Sequence, residues 1–297
     1  MLGFIKRKKC PVCQSTKLRI IYSSKFNSEK IASFLKSYYK NKISISDLGN
    51  NHFNLIRCNY CTLIFQDNIL DEVGMSKLYD HFIDPESSLK KRESANINYF
   101  NSLYLDALKA TKISERIFKI KPNQINVLDF GMGWGHWSYA AKACGINIYG
   151  SELSELRKAF VAKNGIKVVD PFDRKYNEFF HFINTDQVFE HLSYPSDLLN
   201  QLVRSLKKNG VIKIFVPTTL KAYLRLKIQK KDWQPKHDAF HPLEHINSFN
   251  FVSLLELTKQ NNLIPLKPNE VDSKIWSILK SKCKMHLNVP SWYFKKK

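Results

Sequence analysis

The stretch that decides the fold is Val127-Leu128-Asp129-Phe130-Gly131-Met132-Gly133-Trp134-Gly135, an apolar run that passes into three alternating glycines. Glycines permit positive φ and a close approach of the backbone to a ligand, and the first turn of a following helix offers free N–H groups. Glu152 follows the next apolar run, 21 residues after Gly131, where an acid can accept hydrogen bonds from ribose hydroxyls. The pattern predicts a strand, a ligand-binding turn and a helix, with a glycine spacing that differs from the dinucleotide-binding fingerprint G-x-G-x-x-G.

Short apolar runs alternate with helical patterns on both sides of this stretch. Such alternation is typical of an α/β fold in which helices cover both faces of a parallel sheet. The predicted strands are Ile125–Phe130, Ile146–Gly150, Ile166–Val169, Phe179–Thr185, Val211–Val216, Leu263–Leu266 and Lys274–Leu279, and the predicted helices are His136–Cys144, Glu155–Asn164, Ser196–Leu206 and Ser248–Gln260. We place this domain at residues 124–297.

The glycine segment resembles the first motif of the class I S-adenosylmethionine-dependent methyltransferases. The resemblance extends to Thr185–Leu192 and to Leu206–Val211, which are similar to the end of that fold's fourth strand and the start of its fifth. It implies a Rossmann-like methyltransferase sheet, transferase activity and S-adenosylmethionine as cofactor. It also implies that the methionine end is held by Asp129, Gly131, Gly133 and Gly135, the ribose by Glu152, and the adenine near Asp170.

Four of the six cysteines form two C-x-x-C pairs, Cys10-Pro11-Val12-Cys13 and Cys58-Asn59-Tyr60-Cys61, separated by 44 residues. Paired cysteines of this kind are typical ligands of structural zinc. Between the pairs, Ser28 followed by apolar residues at helical spacing predicts an amphipathic helix, and β-like runs flank it. The sequence therefore predicts a zinc-ribbon module with a helical insertion at residues 1–80, one zinc bound by Cys10, Cys13, Cys58 and Cys61, and a helical connector at residues 81–123.

The paired cysteines resemble those of a subgroup of the family in which a zinc ribbon precedes the methyltransferase domain. Sugar C-methyltransferases of that subgroup carry Tyr-His-Glu-His after the fifth strand, and here Leu243-Glu244-His245 retains only the last two residues. This resemblance implies a role in sugar or polysaccharide biosynthesis, with His245 as the base and Glu244 orienting it. Thr218–Asn247 is expected to cover the acceptor.

His191 is the second candidate base, and a packed imidazole is the alternative interpretation of Glu190-His191. His237, His241 and His245 follow one another at four-residue spacing, but Pro242 would interrupt a helix that presented them to a metal.

Composition sets outer limits on function. The chain has 297 residues, 43% of them hydrophobic, which excludes a disordered tail, and its formal net charge of +21 indicates an anionic partner or simply a solvated basic surface. The sequence shows no apolar run near the ~18 residues of a membrane span and no signal peptide, so the expected compartment is the cytoplasm.

These observations predict a methyltransferase that acts on a small-molecule or glycan-precursor acceptor, such as an anionic nucleotide-linked sugar. An RNA methyltransferase that holds RNA with its ribbon and basic surface is an alternative, although no aromatic-basic recognition motif favours nucleic acid. A non-catalytic assembly protein that binds the cofactor is the third.

Overall fold

The computed structural model describes residues 2–84, 89–90, 94–217, 219–228, 233–234, 238–271 and 291–297. In chain order, the strands are β1 (Phe4–Lys6), β2 (Leu18–Lys25), β3 (His52–Cys58), β4 (Ile64–Gln66), β5 (Asn68–Leu70), β6 (Asn126–Phe130), β7 (Asn147–Ser151), β8 (Lys167–Val168), β9 (Phe180–Asp186), β10 (Leu206–Phe215), β11 (Asn247–Ser248), β12 (Leu263–Pro265) and β13 (Ser291–Lys296). The helices are α1 (Glu29–Tyr38), α2 (Glu72–Lys77), α3 (Ile97–Phe118), α4 (His136–Ala143), α5 (Glu155–Lys163), α6 (Pro195–Ser205), α7 (Leu220–Ile228), α8 (Phe251–Lys259) and α9 (Pro268–Val271).

The chain divides into two compact units. The first contains Met1–Lys90, Phe189–Pro195 and Pro217–Leu257, and the second contains Lys91–Val188, Ser196–Val216 and Thr258–Lys297. Each compact unit is built from three separate segments of the chain. The domain boundaries at residues 80 and 123, which come from the sequence, stay a prediction.

The second unit is built on a seven-stranded sheet in the order β12-β13-β10-β9-β6-β7-β8. Strands β10, β9, β6, β7 and β8 run parallel, while β13 is antiparallel to both β10 and β12. The mostly parallel sheet confirms the predicted α/β fold. Its strand order reverses between β6 and β9, and in open α/β sheets ligands bind in the crevice beyond the carboxyl ends of the strands at such a reversal.

The strands at the centre of this sheet are apolar because helices cover it. In β9 every residue except the last, Asp186, is buried, and Val127 and Leu128 of β6 are fully buried. Such near-continuous burial is typical of a parallel sheet between two helical layers, and the strand–helix alternation in the sequence reflects it.

An ion pair lies inside the second unit. Lys213 of β10, 2% exposed, donates to Asp106 Oδ2 of α3 at 2.5 Å, and Trp137 Nε1 of α4 donates to the same oxygen at 2.8 Å. Tyr293 of β13 donates to the other carboxylate oxygen at 3.3 Å. One carboxylate therefore connects two strands and two helices.

The first unit contains a four-stranded antiparallel sheet in the order β11-β4-β3-β2, together with the pair β1-β5. Asn247 and Ser248 of β11 pair with Phe65 and Ile64 of β4, so residues far along the chain complete the N-terminal sheet. Its core likewise combines Ile31 and Leu35 of α1 with buried residues of the later segment, Trp233, Phe240 and Leu243.

The observed elements agree with most of the predicted ones to within a few residues, and β2, α1, β3 and β4 occupy the places predicted around the cysteine pairs. Strand β13 was not predicted, and the sequence did not indicate that residues 217–257 belong with the N-terminal residues. The predicted strand Lys274–Leu279 and His237, the first of the three evenly spaced histidines, lie outside the described residues. Among the helices described, none combines the length and the apolar character needed to cross a membrane.

Candidate functional site

The glycine turn follows β6 at its carboxyl end and leads directly into α4. Gly131, Gly133 and Gly135 have φ of 72°, 56° and 76°, the left-handed region that favours glycine. A Cβ at Gly131 would lie 2.6 Å from Val188 Cγ2, whereas a Cβ at Gly133 would meet nothing within 4 Å. Gly131 is therefore required by packing as well as by conformation, while the turn leaves open space beside Gly133.

Glu152 lies directly after β7, and its carboxylate reaches the glycine turn. Oε2 accepts a hydrogen bond from the Gly133 amide at 2.9 Å, and Oε1 accepts from the amides of Leu153 and Ser154 at 2.9 and 3.1 Å. The side chain is 10% exposed, and Arg157 Nη1 lies 3.9 Å from Oε1. The structure thus brings together the acid and the glycines that the sequence singled out.

Asp129, the last residue but one of β6, is 2% exposed. Its Oδ2 accepts from Ser138 Oγ at 2.7 Å and its Oδ1 accepts from Asn184 Nδ2 at 2.8 Å. Burial raises the pKa of Asp129 to about 6 despite these two hydrogen bonds. Asp129 therefore connects β6 to α4 and β9 beneath the turn, and its predicted contact with the methionine end of the cofactor stays a prediction. Asn184, a polar residue within a buried apolar strand, was the signal in the sequence that could have revealed this network.

Asp170 follows β8 after one intervening residue and is exposed. Its Oδ1 accepts a hydrogen bond from the Phe172 amide at 2.9 Å, which forms a local turn at the end of the strand. Its predicted position near the adenine stays a prediction.

The four cysteines of the C-x-x-C pairs come together in the first unit. Cys10 Sγ lies 3.5 Å from Cys61 Sγ and Cys13 Sγ lies 3.5 Å from Cys58 Sγ, with Cys10, Cys58 and Cys61 buried and all four as free thiols. The hydrogen bond from Cys61 lowers the pKa of Cys10 to about 6, which favours a thiolate there. The cluster is a set of sulfur ligands that could hold one metal ion.

The predicted bases lie in the first unit. His191, in the short 3₁₀ turn Phe189–His191, has its Nδ1 3.0 Å from the main-chain oxygen of Glu244, and its ring centroid lies 4.9 Å from that of His245. Burial lowers the pKa of His191 to about 3, so this imidazole is neutral near pH 7 and is a weak base.

Glu244 is 6% exposed, and its Oε1 accepts a hydrogen bond from Tyr39 Oη at 2.7 Å. Burial raises the pKa of Glu244. The Glu244 carboxylate therefore bonds to Tyr39, and the main-chain oxygen of Glu244 bonds to His191. The role predicted for Glu244, which is to orient His245, stays a prediction. Glu190, for which the sequence indicated no catalytic role, is 1% exposed, and its Oε1 lies 3.9 Å from His191 Nε2.

A family model described as a methyltransferase domain matches residues 103–266, more than half of the chain. The chain therefore belongs to the methyltransferase domain family, and its fold is that of the class I S-adenosylmethionine-dependent methyltransferases. No curated protein matches the sequence.

Solved structures with this fold include the plantazolicin methyltransferase BpumL in complex with a monoazolic desmethylPZN analog and SAH. The TM-score is 0.52 and the sequence identity is 16%. The match covers 75% of this chain and 94% of that chain. Another is the plantazolicin methyltransferase BamL in complex with a triazolic desmethylPZN analog and SAH, with a TM-score of 0.50 and 14% identity over the same shares, 75% and 94%. A putative sarcosine dimethylglycine methyltransferase from Galdieria sulphuraria has a TM-score of 0.42 and 14% identity over 68% and 86%. At these identities, the likeness to the plantazolicin enzymes concerns the fold alone.

Proposed function

We propose that the protein transfers a methyl group from S-adenosylmethionine to a small-molecule or glycan-precursor acceptor. The observation that carries this proposal is the hydrogen bond between the Glu152 carboxylate and the Gly133 amide at the strand-order reversal. A carboxylate at this place can exchange its amide partners for ribose hydroxyls, and the open space beside Gly133 can admit the cofactor. The transfer is an in-line displacement, in which the acceptor bonds to the methyl carbon while the electron pair of the breaking S–C bond goes to sulfur, so alignment of the two reactants supplies much of the rate.

Calorimetric titration with S-adenosylmethionine tests the cofactor site. Glu152→Ala should weaken binding by roughly 1.5–3 kcal/mol for each charge-assisted hydrogen bond that is lost. Glu155→Ala is the matched control, because Glu155 begins α5 three residues later and its side chain is 87% exposed. Equal affinity of Glu152→Ala and the wild type, or tighter binding of NAD than of S-adenosylmethionine, would contradict the proposal.

The acceptor we propose is anionic, with a nucleotide-linked sugar as the leading candidate. The net charge of +21 and the resemblance to sugar methyltransferases support it. Incubation with cofactor labelled in its methyl group and a fractionated cell extract should label a small anion. Labelled material that ribonuclease destroys would favour an RNA acceptor instead, and binding of cofactor without any labelling would favour a non-catalytic assembly protein.

We propose that the acceptor loses its proton at the imidazoles of the first unit, with His245 as the first candidate and His191 as the second. A positioned base contributes about 10²–10⁴-fold to the rate. His245→Ala should therefore lower turnover by that factor and leave the affinity for the cofactor intact. Near-normal turnover of this variant would exclude His245, and the low pKa of His191 makes that residue the weaker base of the pair.

We also propose that Cys10, Cys13, Cys58 and Cys61 bind one structural zinc ion. Zn–S bonds of ~2.3 Å in a tetrahedron place the sulfurs roughly 3.8 Å apart, close to the 3.5 Å separations of the two Sγ pairs. Four thiolates complete the coordination, so this zinc would stabilise the first unit and leave no open position for chemistry. Elemental analysis should find about one tightly held zinc per chain.

A further inference from the structure

Glu190, His191 and His245 form a second cluster of metal-ligating side chains in the first unit. One ligand atom from each of the three lies within 4.8 Å of the other two, and Glu190 is 1% exposed. This cluster differs from the series His237, His241 and His245, because it combines two imidazoles with a carboxylate and includes only His245 of that series. His241 Nδ1 instead lies 2.8 Å from the main-chain oxygen of Pro242.

The hydrogen bond of His191 determines which of its nitrogens is available. The main-chain oxygen of Glu244 can only accept, so the Nδ1 that lies 3.0 Å from it carries the proton and donates. The lone pair of the neutral ring is then on Nε2, the nitrogen that lies 3.9 Å from Glu190 Oε1. A histidine that donates from one nitrogen to a carbonyl and presents the other beside a carboxylate has the arrangement usual for metal ligands.

We propose that Glu190, His191 and His245 bind one divalent cation of the first transition series, such as Mn²⁺ or Zn²⁺. Two imidazoles and one carboxylate suit these metals and leave coordination positions open. Binding requires side-chain movement, since metal–ligand bonds of ~2.0–2.2 Å bring the ligand atoms to roughly 3 Å from one another.

This inference rests on the proposed function and names the chemistry of the acceptor. An open position on the cation takes an oxygen ligand, so the acceptor would carry a hydroxyl group with a second oxygen donor close to it. A cation held by Glu190, His191 and His245 would lower the pKa of a coordinated hydroxyl, whose proton would pass to water and whose oxygen would become a better nucleophile for the methyl transfer described above. In this arrangement His245 is a metal ligand, and the direct base proposed above is the competing outcome of the experiment.

Titration with Mn²⁺ of protein that retains its zinc tests the cation site, because thiolates prefer zinc whereas carboxylate and imidazole ligands accept manganese. The loss of the electron paramagnetic resonance signal of free Mn²⁺ should show one site per chain. Glu190→Gln and His245→Asn should each weaken binding at least about tenfold. His52→Asn is the matched control, because His52 lies in β3 of the same unit, outside the cluster.

Each variant is first checked for about one zinc per chain and for an unchanged unfolding midpoint, and His245→Asn carries the test if Glu190→Gln does not fold. Absence of Mn²⁺ binding, or binding that both variants leave unchanged, would overturn the inference and leave His245 as a direct base. Failure of the proposed function is distinguishable, since wild-type protein that bound Mn²⁺ but not S-adenosylmethionine would keep the metal site and lose the methyltransferase assignment.

Discussion

At the scale of single residues, the carboxylate of Asp129 is both buried and hydrogen-bonded, and these two features act on its pKa in opposite directions. Its carboxylate is held by Ser138 and Asn184 while almost fully removed from water, so ionisation is costly although two donors face the oxygens. The pKa of about 6 reflects that balance, in which burial outweighs the hydrogen bonds.

Asp129 should make stability depend on pH. Its folded pKa of about 6 lies above the ordinary value of 3.8, so the folded state holds this proton to a higher pH than the unfolded chain does. The stabilising contribution is complete below about pH 4 and is lost as the pH rises to about 6, on the order of 3 kcal/mol in all. In denaturant unfolding across this range, the free energy of unfolding of Asp129→Asn should fall less than that of the wild type. Parallel pH profiles for wild type, Asp129→Asn and the exposed-site control Glu155→Gln would show that Asp129 does not titrate in this way.

The sequence singled out the glycines and Glu152 through backbone conformation and spacing along the chain, and Asp129 through its resemblance to the family motif. It could not identify Ser138 as a hydrogen-bond partner of Asp129 or Glu190 as a neighbour of His245, although the polar Asn184 in an apolar strand pointed to a buried network. Those contacts depend on how strands and helices pack, and Glu190 and His245 are 55 residues apart in the chain.

At the scale of elements, the carboxylate of Asp106 joins α3, α4, β10 and β13 through Trp137, Lys213 and Tyr293. The side chain of Lys213 is 3% exposed, so its charge depends on this partner.

Removing one partner of this pair should be more harmful than removing both. Asp106→Ala leaves a buried ammonium group without its carboxylate and should lower the free energy of unfolding by about 3–5 kcal/mol. The double variant Asp106→Leu, Lys213→Met should recover part of that loss, since apolar side chains of similar size can replace a buried ion pair, while Trp137 and Tyr293 still lack their acceptor. Guanidinium unfolding of the variants measures both quantities. The expectation would be refuted if the double variant lost as much free energy of unfolding as the changes at Asp106 and Lys213 lose when each is made alone and the two losses are added.

The strands between residues 125 and 216 were predictable because they are short apolar runs that alternate with helical segments. Strand β13 was not, since Trp292, Tyr293 and Phe294 stand beside lysines in a short run that matches no neighbouring pattern. Its assignment comes from pairing with β10 and β12, which lie far away in the sequence.

At the scale of the whole molecule, the first unit combines the N-terminal residues with two segments that lie more than 90 residues later in the chain. Strand β11 pairs with β4, and Trp233 packs in the core with residues of the first 80 positions. The sequence indicated a ribbon within residues 1–80 because both C-x-x-C pairs lie in that part of the chain. A two-residue strand such as β11 has no pattern long enough to reveal its partner.

Zinc removal should therefore loosen more than the N-terminal residues. With a chelator, amide hydrogen exchange should become faster in segments 2–84, 189–195 and 238–257, because these segments share the unit that the proposed zinc ion stabilises. The sheet of the second unit should keep its protection in the same sample. Faster exchange confined to the loops of Cys10–Cys13 and Cys58–Cys61 would contradict a stabilising role for zinc throughout the unit.

The position of β13 has a consequence for the order of folding. This strand lies between β10 and β12, so the sheet cannot close until residues 291–296 have been synthesised and inserted. Until then β10 presents an open edge, with unpaired amides and carbonyls that can template pairing with another chain. Insertion of a strand distant in sequence is slow, because a long loop must close before its hydrogen bonds form. The period between synthesis of β10 and arrival of β13 is therefore when a nascent chain is most exposed to aggregation.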